Sequence, residues 1–261
     1  MIAFLECFDI PGRKHPAFLA ERVFFLDLPA IKISVWSRTS KTGKRVLKSL
    51  ERAKDFLREA RVKNIIFSDS FPYSKFFLDR GFINISTADL MYIATQRLIE
   101  RYSDREGRAA VIARELDGRC RNILAALCRK NRFVLADIGR GAVAEIERLR
   151  RETGISIITR PSKEQLLGAN LAVILSKPWY RAEFSDSCAV IASDNSFWEC
   201  VSCRRPVSAA DFGLSPENEA KILNGFSRQA QIAAAVSCFA LRPEDIIRIK
   251  VTEGDLTKKC F

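Results

Sequence analysis

Apolar positions along this chain follow two spacings, and the two alternate. Short continuous runs at Val62–Phe67, Ala109–Ala113, Phe133–Ile138, Ile155–Thr159, Leu171–Leu175 and Ser187–Ala192 have the length of strands buried on both faces. Between them, apolar residues fall every three or four positions, as on one face of a helix. Val46, Leu47, Leu50, Ala53, Phe56, Leu57 and Ala60 form the clearest such stripe, over 42–60. Cys120, Ile123, Leu124 and Leu127 form another, and Val143, Ile146 and Leu149 a third, which Gly154 ends. Ser86–Asp89 reads as a capped helix start, and Ser215-Pro216 as a cap followed by a first-turn proline. Ile2–Phe8, Val23–Leu28 and Ile31–Trp36 read as an antiparallel β start with a turn at Pro29-Ala30, and Ile246–Val251 as an edge strand. The polar segment 103–108 is the expected boundary between a smaller N-terminal α/β module, 1–106, and a second domain, 107–261.

Strand-length runs alternating with helices of about a dozen residues mean βαβ units on a mostly parallel sheet, a Rossmann-like α/β architecture. The richest stretch is 132–178. There the run ending at Asp137-Ile138 meets Gly139-Arg140-Gly141 and then a helix. A glycine turn at a helix start exposes backbone amides, and with the helix dipole these favour an anion. With Ala144 the pattern Gly-x-Gly-x-x-Ala resembles the dinucleotide-binding fingerprint. Asp137-Ile138-Gly139-Arg140-Gly141 also resembles the first motif of Rossmann-like S-adenosylmethionine methyltransferases, and Lys177-Pro178-Trp179-Tyr180 resembles their later Asn/Asp-Pro-Pro-Tyr motif. The resemblance implies an adenine-nucleotide ligand, NADP or S-adenosylmethionine ahead of NAD, held by Asp137, Gly139, Arg140, Gly141, Thr159 and Arg160. Thr159-Arg160 stands where both families carry a ribose-holding acid, and an arginine there suits a 2′-phosphate. Asp137 repels phosphate but accepts from a ribose. A complete βα unit precedes the glycine turn, so the turn follows a second strand rather than a first.

Composition narrows the chemistry. The chain of 261 residues is 48% hydrophobic and 28% charged, as ordinary globular proteins are. Its net charge of +12 favours anionic partners. The expected strand ends carry Asp69, Arg114, Asp137 with Arg140, Arg160, Lys177 and Asp194, and the four cations among them suit a phosphorylated ligand. His15, in the loop after the first strand, is the one histidine, which leaves little material for histidine-based nucleophilic catalysis. There is no Gly-Lys-Ser/Thr phosphate loop, no run of membrane-spanning length and no basic leader before the first apolar residues. Eight scattered cysteines imply reduced thiols in a cytoplasm; Cys188, Cys200 and Cys203 permit a three-cysteine site, but the expectation is no structural disulfide and no resident metal. Three function classes follow: a nucleotide-type ligand protein, a non-catalytic Rossmann-like module for assembly or regulation, and a basic nucleic-acid binder.

Overall fold

The computed structural model describes residues 1–9, 18–37 and 44–253. His15 lies outside the described residues. The chain divides into two compact units, Met1–Leu90 with Gly213–Arg248, and Met91–Phe212 with the chain from Ile249. The segment 103–108 falls inside the second unit, as a turn in which Gly107 donates to the Asp104 carbonyl. Residues 213–248 belong with the first unit, a return that no local pattern announces.

The first unit opens with β1 (Ile2–Asp9), β2 (Phe18–Phe25), β3 (Leu28–Ser37), α1 (Lys44–Glu59), β4 (Asn64–Phe67), α2 (Ser74–Leu78) and β5 (Ile83–Asn84). Its sheet runs β2-β3-β1-β4-β5. Only β2 and β3 form an antiparallel pair; β1 lies parallel to both β3 and β4. The expected antiparallel start is corrected accordingly. The reason is visible in β1, where Ile2, Ala3, Phe4 and Leu5 are all buried, so both faces are covered as in a central strand. The turn also moves. Leu26 and Asp27 have φ of 44° and 63°, the left-handed pair of a two-residue hairpin, while Pro29 sits opposite Phe24 at the start of β3. A proline ring holds φ near −65°, so Pro29 cannot occupy such a turn position. Val46, Leu50, Ala53 and Leu57 of α1 pack with Leu5, Ile31, Ile33 and Ile65; Leu47 of the same helix remains exposed.

Helix α3 (Ala88–Tyr102) starts where the Ala88 amide donates to Ser86 Oγ at 3.1 Å. The second unit continues with β6 (Arg108–Ala113), α4 (Gly118–Lys130), β7 (Phe133–Ile138), α5 (Val143–Thr153), β8 (Ser156–Thr159), α6 (Lys163–Leu167) and β9 (Leu171–Ile174). Then come β10 (Ala182–Glu183), β11 (Ala189–Ala192), β12 (Val201–Ser202) and β13 (Arg205–Gly213). After α7 (Pro216–Glu219) and α8 (Arg228–Ser237), β14 (Arg248–Glu253) forms a sheet edge, as its alternating pattern predicts.

The large sheet runs β14-β13-β11-β9-β6-β7-β8, and β8, β7, β6, β9, β11 and β13 are mutually parallel. All six apolar runs read as strands are strands. Alternation along β6 sorts its residues: Ala109, Val111 and Ala113 pack with α4 and α5, while Ala110 and Ile112 pack on the opposite face with Leu166 of α6. Asp117 caps α4, Ser162 and Gln165 form a reciprocal box at α6, and Gly154 ends α5 at φ 68° with its amide on the Arg150 carbonyl. Val143 is a correction: at the open first turn of α5 it is exposed, and Ile146 and Leu149 alone carry the buried face. Among the described residues, no helix is long and apolar enough to cross a membrane.

Candidate functional site

From β6 the chain steps outward to β7 and β8, then returns to place β9 on the other side of β6, followed by β11 and β13. Counted from β6, the order is 3-2-1-4-5-6, and the sheet reverses direction of growth between β6 and β9. The second unit is a Rossmann-like fold. Ligands of such sheets lie outside the carboxyl ends of the strands at that reversal, so the candidate site is built from the loops after β6, β7 and β9.

This order changes the roles of the residues singled out above. The turn at Gly139–Gly141 follows the second strand, not the first, as the preceding βα unit implied. Asp137, near the end of β7, therefore stands at the carboxyl end of the second strand, where dinucleotide-binding sheets carry an acid. Thr159 and Arg160 end β8, the third strand and the sheet's outer edge, beside β7 with Thr159 in register with Ala136. Both are exposed, and the Arg160 amide donates to the Ala136 carbonyl at φ 50°. Asp137, Gly139, Arg140 and Gly141 remain contiguous on one loop, and Thr159-Arg160 on the next. Asp69 lies in the turn after β4, in the first unit, and is not part of this edge.

The two glycines do different work. A Cβ at Gly139 would lie 2.1 Å from the Arg114 carbonyl oxygen, so the loops after β6 and β7 touch backbone to backbone there. A Cβ on Gly141 would meet nothing within 4 Å. Gly139 is thus explained by close approach of two strand-end loops, with no ligand required.

The loop that precedes the first helix is Arg114-Glu115-Leu116-Asp117-Gly118, with one glycine at its end. The Asp117 carboxylate accepts from the Cys120 amide at 2.7 Å. A carboxylate therefore already occupies the helix terminus where a dinucleotide's pyrophosphate would bind, and its charge repels another anion. Asp117→Ala should lower stability by about 1 kcal/mol in urea unfolding, and an unchanged midpoint would mean that the cap contributes nothing.

Across the reversal point the β6–β9 ladder continues into the strand-end loops. The Arg114 amide donates to Ser176 Oγ at 2.6 Å, and the Leu175 amide to the Ile112 carbonyl at 2.9 Å. From the loop after β9, the half-buried Tyr180 hydroxyl donates to Asp137 Oδ2. Burial, then the hydrogen bond and charge of Asp137, push the Tyr180 phenol well above its usual range, so it stays protonated and a donor at all ordinary pH. The cavity left among Arg114, Asp137, Ser176 and Tyr180 measures about 10 Å³, at most the space of one water. Lys177 is turned to Glu199 at 3.2 Å, and Asp194 caps the following turn by accepting from the Ser196 amide; hydrogen bonding from the Ser196 side chain, then from its amide, holds the Asp194 carboxyl below the usual value.

The cysteine constellation is a core feature. Cys188 and Cys203 are buried, and burial pushes both thiols up to about 12. Cys200 is half-buried, and among the described residues no three His, Cys, Asp or Glu side chains group as metal ligands.

Sequence reading missed Ser176, which has no local signature, and the pairing of Tyr180 with Asp137, which lie 43 positions apart. Asp117 carried a signal that was not used, an Asp-Gly pair directly before a helical stripe.

No protein-family model and no curated protein sequence matches the chain. Among solved structures it is similar to Delta(1)-pyrroline-2-carboxylate reductase of Thermococcus litoralis in complex with NADH and L-proline, at 15% identity over 41% of this chain and 34% of that one, TM-score 0.30. It is similar to the iminosuccinate reductase of Paracoccus denitrificans in complex with NAD+, at 11% identity over 61% of this chain and 50% of that one, TM-score 0.33. It is also similar to quinate dehydrogenase of Corynebacterium glutamicum in complex with NAD, at 12% identity over 79% and 82% of the two chains, TM-score 0.32. The chain thus spans a third to a half of the first two. Likeness at this level carries no argument about chemistry, and the reading of the site rests on its own geometry.

Proposed function

We propose that this protein is a non-catalytic Rossmann-like module whose nucleotide crevice is filled from within, and that it serves assembly or regulation. The carrying observation is the Tyr180 hydroxyl on the Asp137 carboxylate, which occupies the ribose place and leaves about 10 Å³. The Asp117 cap on α4 supports the same reading, because it fills the anion position of the first helix. Ser176 and Lys177 line the same cavity, but Ser176 Oγ accepts from the Arg114 amide and Lys177 Nζ lies 3.2 Å from Glu199. Fold alone implies no reaction.

A second reading has one observation in its favour. Asp137 ends the second strand, where an acid holds ribose hydroxyls, so an adenosine-type ligand, NADP or S-adenosylmethionine, fits if it displaces Tyr180. Calorimetric titration of the intact protein with NADP, NAD and S-adenosylmethionine separates the two. The filled-crevice reading expects no saturable heat that is sensitive to Asp137→Asn. Saturable binding that Asp137→Asn abolishes would replace it with the ligand reading.

A further inference from the structure

The opposite edge of the same sheet carries an arrangement with no part in the crevice. Strands β6, β7 and β8 begin there, at Arg108, Phe133 and Ser156. A cleft of about 410 Å³ opens between the turn before β6, the end of α4 and Ile155, and its lining includes Arg105, Arg129, Lys130 and Arg132. Glu106 is the single acid on it. All four cations are exposed, and among the described residues none of them makes an ion pair; Arg132 leans over the Phe133 ring instead. Helix α5 shows the contrast, since its Arg148 is matched by Glu145 and Glu152 and its Arg150 by Glu147.

Two of these cations have a local reason to be present, because Arg129 and Lys130 complement the negative end of the α4 dipole. That reason covers neither Arg105 nor Arg132. Those two are brought together by the backbone, where the Arg132 amide donates to the Arg105 carbonyl at 3.3 Å. Buried Asn131 fixes the floor, its Nδ2 donating to Ser103 Oγ at 3.2 Å and to the Leu127 carbonyl at 3.0 Å. The cleft is therefore held in shape by its own backbone and amide bonds, while its rim carries four like charges against one acid. Like charges on a concave rim repel one another and focus potential outward, and a bound anion relieves both effects.

We infer that this cleft is a binding site for a compact polyanion bearing two or more phosphoryl groups. Three guanidinium forks offer the paired donors that phosphate oxygens accept, and Lys130 adds a point charge. The volume admits a ligand of the size of a tripolyphosphate or a nucleoside phosphate rather than a single inorganic ion. The net charge of +12 acts in the same direction, by steering anions toward the protein.

The experiment is calorimetric titration of the intact protein with sodium tripolyphosphate at about 50 mM and about 200 mM salt. One saturable site is expected, weaker at the higher salt. Arg129→Glu with Arg132→Glu should weaken it at least about tenfold, and so should Arg105→Gln with Lys130→Gln, since each pair removes charge-assisted bonds. Lys48→Glu with Arg52→Glu on exposed positions of α1 makes the same charge change as the first pair and should alter affinity less than about twofold. Circular dichroism melts confirm that each variant is folded. Absence of saturable heat for the wild type overturns the inference. Equal weakening by the α1 pair overturns it too, because binding would then follow net charge alone. Tight binding of a 20-residue single-stranded RNA with none of tripolyphosphate would overturn it in favour of a nucleic-acid surface.

Discussion

Replacing Gly139 by alanine is expected to lower the free energy of unfolding by about 3 kcal/mol. The added Cβ would stand 2.1 Å from the Arg114 carbonyl oxygen, well inside van der Waals contact. The obstacle is backbone, which cannot rotate away as a side-chain tip does. Either the loop after β7 or the loop after β6 must shift, and the second is tied to Ser176 through the Arg114 amide. Gly141→Ala is the matched control, two residues along the same turn with no atom within 4 Å of its Cβ. It should change stability by less than about 0.5 kcal/mol. Urea unfolding of both variants reads the difference directly. Equal midpoints for the two would show that the loops are not packed backbone to backbone, and would return the glycine pair to the status of a ligand motif.

Gln231→Leu should be as damaging, at about 3 kcal/mol, in spite of being nearly isosteric and more apolar. Gln231 sits on α8 in the first unit with no exposure to solvent. Its Oε1 accepts from the Leu223 amide at 2.8 Å, and its Nε2 donates to the Leu223 carbonyl at 2.8 Å and the Phe226 carbonyl at 3.4 Å. One side chain thus supplies the partners that a helix or sheet ladder would give to the irregular backbone before α8. Leucine fills the space but removes the partner of the half-buried Leu223 N–H and of the Leu223 and Phe226 carbonyls, and the desolvation penalty of these groups is then less well opposed. Thermal and urea unfolding would test this. A leucine variant as stable as the wild type would mean that water reaches Leu223 and the amide bridge is dispensable.

The chain's patterns carried the strands and helices far, and for local reasons. Runs such as Ala109–Ala113 and Leu171–Leu175 are continuous because both faces of an inner parallel strand are covered, so their character survives without knowledge of their neighbours. The stripe Cys120, Ile123, Leu124 and Leu127 is equally self-declaring, and burial of all four agrees with it. Turn geometry was less legible. Leu26-Asp27 is an unusual left-handed pair, and Pro29 next to it is the stronger turn signal, although its ring excludes it from the turn it marks.

The candidate site was legible in its parts and not in its assembly. Asp137, Gly139 and Arg114 each appear as strand-end residues in the sequence, and the local spacing resembles a nucleotide motif. That resemblance assigns roles by counting strands along the chain, whereas the sheet assigns them by position. Because β9 returns to the far side of β6, β6 becomes the first strand, Asp137 lies on the second and Thr159-Arg160 at the outer edge. Strand order is a property of contacts between residues dozens of positions apart, and no periodicity encodes it.

What the sequence alone established, therefore, is the class of architecture, six of its parallel strands, the amphipathic helices between them and the net positive charge. Only the tertiary structure decided that 213–248 returns to the first unit, that Tyr180 closes on Asp137 and that four unpaired cations share one cleft at the other edge. The division has one physical cause. Burial and helix caps act over a few residues and leave a repeating trace, while sheet order, cross-chain hydrogen bonds and loop-to-loop approach depend on which distant segments meet, and leave none.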